Sequence, residues 1–111
     1  MEIANKEFKH CDMLMVKGRV DSSTAPQFSQ ALDTITESGR FKIVVDMSQL
    51  EYMSSAGFRA LLASQRSCKR YNRGEVVLAA VPDRIHEALE LAGFTELFKT
   101  FKEPLAAVGS F

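Results

Sequence analysis

The chain has no tryptophan, only two histidines and two cysteines, no excess of either charge, and no long apolar run. Each absence closes a route. Cys11 and Cys68 cannot form a disulfide framework. With His10 beside Cys11 and Cys68 at an apolar helical position, they also lack the ligand spacing of a zinc site. Fourteen basic residues against 14 acidic leave a formal net charge of zero, so polyanions are not attracted globally and direct nucleic-acid binding is not expected. The one basic cluster, Arg66, Lys69, Arg70 and Arg73, falls at the end of an expected helix, where cations suit the carbonyl terminus. No segment approaches the roughly 18 apolar residues of a membrane span. The N-terminal MEIANKEFKH has no signal-peptide core, so a cytoplasmic protein without membrane insertion is expected. No G-x-G-x-x-G or P-loop occurs, and no cofactor is expected.

What is present is an ordinary globular composition. At 111 residues, 46% hydrophobic and 25% charged, the chain suits one domain spanning 1–111, able to bury about two-thirds of its unfolded surface. The stretch Ile43 to Leu62 stands at its centre. Ile43, Val44, Val45 and Met47 form the β-branched run of a strand covered on both faces, and Asp46 and Ser48 mark the expected exit from the core. Ser54 and Ser55 then occupy N-cap positions, where a hydroxyl can accept a free N–H of the first helical turn. Phe58, Leu61, Leu62, Gln65 and Cys68 follow at helical spacing.

The flanking elements follow from similar patterns. Residues 2–9 predict a first strand, turning through His10, Cys11 and Asp12 into an antiparallel second strand, Met13 to Val20. Asp21 and the capping-rich Ser22 to Gln27 open a helix that carries Phe28, Ala31, Leu32 and Ile35 and closes at Gly39. A strand at 42–47 is followed by a serine loop and a helix to about Tyr71. Glu75 to Val81 predict another strand, and Asp83 is expected to cap a helix ended by Gly93. Leu97 to Phe101 predict an edge strand, and a short helix starts at Glu103-Pro104. The order β-β-α-β-α-β-α-β-α specifies an α/β fold with a small mixed sheet and right-handed βα crossovers. If the strands ending at Val20 and Met47 are parallel neighbours, the loops after them share one sheet edge. Asp21 and Ser55 should then be close although 34 positions apart.

Catalysis finds little support. Met53-Ser54-Ser55-Ala56-Gly57 imitates the G-x-S-x-G elbow but has Met at the first glycine, and neither His10 nor His86 is expected near it. The chain is therefore not expected to be an enzyme. On the residues alone, one serine caps a helix and the other is simply exposed. The sharper reading makes one of them a substrate, because a phosphate at a helix N-terminus meets unpaired N–H groups and the favourable end of the dipole.

Three separated motifs carry a family resemblance. Asp46 to Leu61, DMSQLEYMSSAGFRAL, resembles the D-L-S-x-V-x-x-M-D-S-x-G-L-x-x-L signature of STAS domains, specifically the bacterial anti-sigma factor antagonists. Gly18-Arg19-Val20-Asp21 is similar to that family's G-x-[IVL]-D, and VPDRIHEALELAGFTELFKTF to its last helix and strand. The resemblance implies a STAS-type domain that binds an anti-sigma factor and frees a sigma factor, a partner-switching role in regulation of transcription. It further implies an anti-sigma partner that is a serine kinase, reset by a serine phosphatase. Ser55 is then the phosphoacceptor, with Ser54 as the alternative because it stands where the signature has aspartate. The implied partner surface comprises Asp21, Ser22, Ser54, Ser55, Ala56, Gly57 and Arg59. Phe58 and Arg59 replace the usual leucine and small residue, so that surface is expected to differ from the family's. A weak homodimer is compatible with this reading. The competing reading is a non-phosphorylated STAS scaffold subunit of a transporter or signalling assembly.

Overall fold

The computed structural model describes residues 1–111. Its centre is the apolar run at Ile43, whose alternate side chains are buried on opposite sides of the sheet. Five strands lie in the order of the chain: β1 (Glu2–Glu7), β2 (Asp12–Val20), β3 (Lys42–Met53), β4 (Glu75–Ala79) and β5 (Thr100–Phe101). β1 is antiparallel to β2, and the remaining neighbours are parallel. Parallel strands need crossovers, and α1 (Ala25–Glu37), α2 (Ser55–Lys69) and α3 (Asp83–Leu91) supply them. Their apolar residues, among them Phe28, Leu32, Phe58, Leu61, Ile85 and Leu89, pack with Leu14, Ile43, Val45 and Leu78 in the larger core. On the other face α4 (Pro104–Gly109) sets Ala107 against Met13, Val44, Val77 and Ala79. Cys68 belongs to the first core and Cys11 to the second, so the sheet separates the two thiols.

Several expected boundaries are corrected. β3 does not end at Met47. It runs to Met53, so residues 48–53 are strand and not loop. The reason is two bulges. Met15 pairs with Asp46 and Lys17 with Gln49, then Gly18 with Leu50 and Arg19 with Tyr52, so β3 carries an extra residue at each place. The inward residues Leu50 and Met53 thus fall three apart, and the two-residue period of a regular strand is lost. β1 ends at Glu7, and α2 ends at Lys69, before a 3₁₀ turn at Arg70–Asn72 in which Tyr71 and Asn72 take positive φ. There the Arg73 guanidinium donates to the carbonyls of Ser67 and Arg70 and lies 3.8 Å above the Phe41 ring, so this member of the basic cluster closes a helix end. β4 stops at Ala79, because Ala80 has φ 51°. Asp83 does not cap α3; Pro82 holds the N-cap position and Asp83 is the first helical residue.

β5 is two residues long instead of five. Phe98 turns into the core, and a side chain from another element takes up the backbone groups that a longer strand would have paired. Gln65 on α2 donates to the carbonyls of Val76 and Leu97 and accepts from Val76 N–H. At the same end of the strands but towards the β1 side, Arg40 ties the start of β3 to the β1–β2 hairpin. It forms an ion pair with buried Asp12 and donates to the carbonyls of Phe8 and Cys11 at 2.6 and 3.0 Å. Asn5 donates to the second Asp12 oxygen, which leaves the buried carboxylate with partners on both sides.

Candidate functional site

β2 and β3 end as paired neighbours, Val20 against Met53, and Ser54 N–H donates to the Val20 carbonyl at 2.8 Å. The segments starting at Asp21 and Ser55 therefore leave the sheet side by side. Gly57 makes this approach sterically feasible. A Cβ there would lie 2.6 Å from Met53 Cγ and 2.9 Å from Val20 Cγ1, so a side chain at 57 would push the helix start off the strand ends.

The two serines, equivalent by sequence, differ in three dimensions. Ser54 is the backbone N-cap of α2, with φ −80° and ψ 173°, yet its hydroxyl makes no capping bond. Its Oγ is buried and has no hydrogen-bond partner. The expected capping role is thus corrected: Ser54 ends the strand and starts the helix through its backbone alone. Ser55, the first residue of α2, is exposed. Of the two hydroxyls, that of Ser55 meets solvent.

Asp21 organises the neighbouring loop. One carboxylate oxygen accepts from the N–H and Oγ of Ser23, at 3.0 and 2.7 Å, and from the N–H and Oγ1 of Thr24. These bonds, first the Ser23 hydroxyl, hold the Asp21 carboxyl below the usual carboxylate range. Thr24 Oγ1 accepts from Asp21 N–H at 2.8 Å, and the Arg19 carbonyl at 3.0 Å is the alternative acceptor for its one proton, which fixes the entry into α1. Ser22 and Arg59 are exposed, and Ala56 is half-buried against the core. Phe58 is instead buried in edge-to-face contact with Phe94, centroids 6.1 Å apart. Its replacement of a leucine therefore alters the core and leaves the expected change of surface to Arg59 alone. Sequence reasoning missed Arg19 and Tyr52, a cross-strand pair in which the guanidinium lies 4.4 Å from the ring centroid beside the loop. Only the bulged register brings them opposite each other.

Neither histidine hydrogen-bonds to a serine of this loop. His10 is in the β1–β2 hairpin, and His86 pairs with Glu90 at 3.0 Å one turn along α3. No group of three His, Cys, Asp or Glu side chains could hold a metal ion, and no helix is long and apolar enough to cross a membrane. A shallow cleft of about 260 Å³ opens on the sheet face between β1 and β3, lined by Ala4, Met15, Lys17, Asp46 and Ser48, away from the serine loop.

Comparison with known proteins covers nearly the whole chain. A family model described as "Mlab, STAS domain" matches residues 3–100. BtrV of Bordetella bronchiseptica, named an anti-sigma factor antagonist, is 30% identical over 96 residues, 86% of this chain and 82% of that protein. The anti-sigma-B factor antagonist of Listeria monocytogenes is 26% identical over 99 residues, 89% of this chain and 85% of its own length. In structure, an anti-sigma factor antagonist from Mycobacterium paratuberculosis superposes with a TM-score of 0.85 at 20% identity, covering 98% of this chain and 92% of that one, which is a likeness of fold.

Proposed function

Because the chain belongs to the STAS domain family, among the anti-sigma factor antagonists, we propose that it binds an anti-sigma factor and so frees a sigma factor, with Ser55 as the phosphoacceptor that switches the contact. One observation carries the choice of residue. Ser55 is exposed at the first position of α2, whereas the Ser54 hydroxyl is buried. A kinase needs a hydroxyl it can reach, and a phosphate on Ser55 would meet the unpaired N–H groups of the first turn, so the fold can carry the charge. The same charge would be forced against any partner seated on Asp21, Ser22, Ala56 and Arg59; Gly57, expected in that surface, is buried against Met53 and Val20 and serves only to bring the helix start close. The chain is then a substrate and a regulator, and the chemistry belongs to a serine kinase and an opposing phosphatase.

The test is incubation with ATP and the cognate anti-sigma kinase, followed by mass spectrometry of the Tyr52 to Arg59 region. We expect one added phosphate in the parent and in Ser54→Ala, and none in Ser55→Ala. Undiminished labelling of Ser55→Ala overturns the assignment. A second reading, a STAS subunit that carries no phosphate, is favoured by one residue, Ser54 in the place where the family signature has aspartate. Absence of any phosphate after incubation with an active kinase would favour it.

A further inference from the structure

The sheet has two edges, the two-residue β5 and the six-residue β1, and we propose that β1 pairs with β1 of a second copy of this chain, antiparallel about a two-fold axis at Ala4. Phe8 N–H donates to the Cys11 carbonyl, and the β1–β2 register runs unbroken from there to Glu2 opposite Lys17. Antiparallel ladders alternate, so Glu2, Ala4 and Lys6 direct their backbone groups at β2, while Ile3, Asn5 and Glu7 direct theirs outward. The outward row is available. β1 has no proline and no bulge, and of its six residues all but the half-buried Ile3 are exposed. Proline and bulges normally protect an edge, and β1 lacks both; its charges at Glu2, Lys6 and Glu7 remain, and they restrict pairing to a register that sets unlike charges opposite.

Charge then selects the partner and the register. Two β1 edges can share hydrogen bonds only when outward residues face outward residues. With Ala4 on the axis, Ile3 pairs with Asn5 of the second copy and the reverse, and Glu2 stands opposite Lys6 twice. Sliding by two residues in one direction sets Lys6 against Ala4, and sliding by four sets Lys6 against Lys6. Sliding the other way removes Lys6 from Glu2. Among these registers only the Ala4-centred one opposes unlike charges. Those pairs fall at non-hydrogen-bonded positions, where side chains come closest. Lys17 already faces Glu2 within one chain, so the row across the junction reads Lys17, Glu2, then Lys6 of the second copy. The row through the axis reads Met15, Ala4, Ala4, Met15, small where the strands must approach. One strand pair makes an interface below the usual size, so the dimer is weak and concentration-dependent. It does not rest on the phosphoacceptor reading.

Sedimentation velocity over roughly 10 µM to 1 mM protein tests it, a range chosen for weak association. The parent should shift from monomer towards dimer. Lys6→Glu and Glu2→Lys each place like charges opposite and should weaken association about tenfold or more. The double variant Glu2→Lys with Lys6→Glu restores unlike pairs and should regain it. Thermal melting of the single variants checks that folding is intact, with at most a small fall expected for Glu2→Lys, whose new lysine faces Lys17 of its own chain. A parent that stays monomeric throughout, self-association indifferent to either reversal, or a double variant that is not rescued overturns the proposal.

Discussion

The side-chain amide of Gln65 satisfies both backbone polar groups of Val76, accepting its N–H at 2.6 Å and donating to its carbonyl at 3.0 Å. Gln65 thus continues the parallel ladder that β5 makes only at Leu78 and Ala79. A helix side chain serves as the missing stretch of edge strand. Replacing it by the shorter, apolar Leu leaves buried groups of Val76 and Leu97 unpaired. We expect Gln65→Leu to cost about 3 kcal/mol in urea unfolding, at about 1–3 kcal/mol per orphaned group without full additivity. Exchange of the Val76 amide should accelerate in parallel; a loss under about 0.5 kcal/mol would contradict this account.

Two glycines hold close approaches of different hardness. A Cβ at Gly74 would sit 2.2 Å from the Phe41 carbonyl oxygen, part of the backbone, whereas a Cβ at Gly57 meets the flexible Met53 side chain first. Gly57→Ala should cost about 1–3 kcal/mol, and Gly74→Ala more than Gly57→Ala. Denaturant titration of both variants checks the order, and the reverse ranking would mean that the β4 entry yields more readily than the serine loop.

Ala80 is held at φ 51°, where a Cβ is disfavoured. Glycine relieves that strain but loses more entropy on folding. With the two terms opposed, Ala80→Gly should be neutral to stabilising by about 1 kcal/mol. A clear fall in melting temperature would show that the Ala80 methyl contributes packing that outweighs its backbone strain.

Ser55→Asp should weaken binding of the anti-sigma partner by about 1–3 kcal/mol, because the charge would be buried at the interface without a partner. Calorimetry on the purified pair measures it. Equal affinity for parent and variant would separate Ser55 from the contact surface.

Acid sensitivity has a predicted origin in Asp21. Its folded-state pKa is below the ordinary value of 3.8, held down by the Ser23 and Thr24 hydrogen bonds. A lowered carboxylate pKa adds stability above the unfolded value, and that stability is lost as pH falls from about 3.8 through the folded value. Asp21→Asn should therefore show a shallower loss of stability than the parent across that window. Parallel curves for the two proteins would remove Asp21 as a contributor.

Much of this architecture is legible in one dimension. The helical periodicity of Phe28, Leu32 and Ile35, or of Ile85 and Leu89, survives folding because a helix face is set by its own spacing. Gly39 and Gly93 end their helices at positive φ, as their positions imply. The serine junction between β3 and α2 could be found because its residues are contiguous. The rest of β3 was hidden because a bulged strand presents Leu50 and Met53 without the two-residue alternation by which strands are recognised.

Composition, periodicity and motif therefore determined the element order, the α/β class, the family and the short stretch around Ser55, since all of these depend on residues near one another in the chain. Tertiary structure alone decided that one serine hydroxyl is buried and its neighbour exposed, that Gln65 substitutes for a strand, and that Arg40 locks Asp12. Burial and pairing across the fold depend on what arrives from distant segments. Two adjacent serines offer identical chemistry until the Val20 carbonyl, arriving on the neighbouring strand, holds the backbone of Ser54 at the end of the sheet while Ser55 opens the helix at the surface.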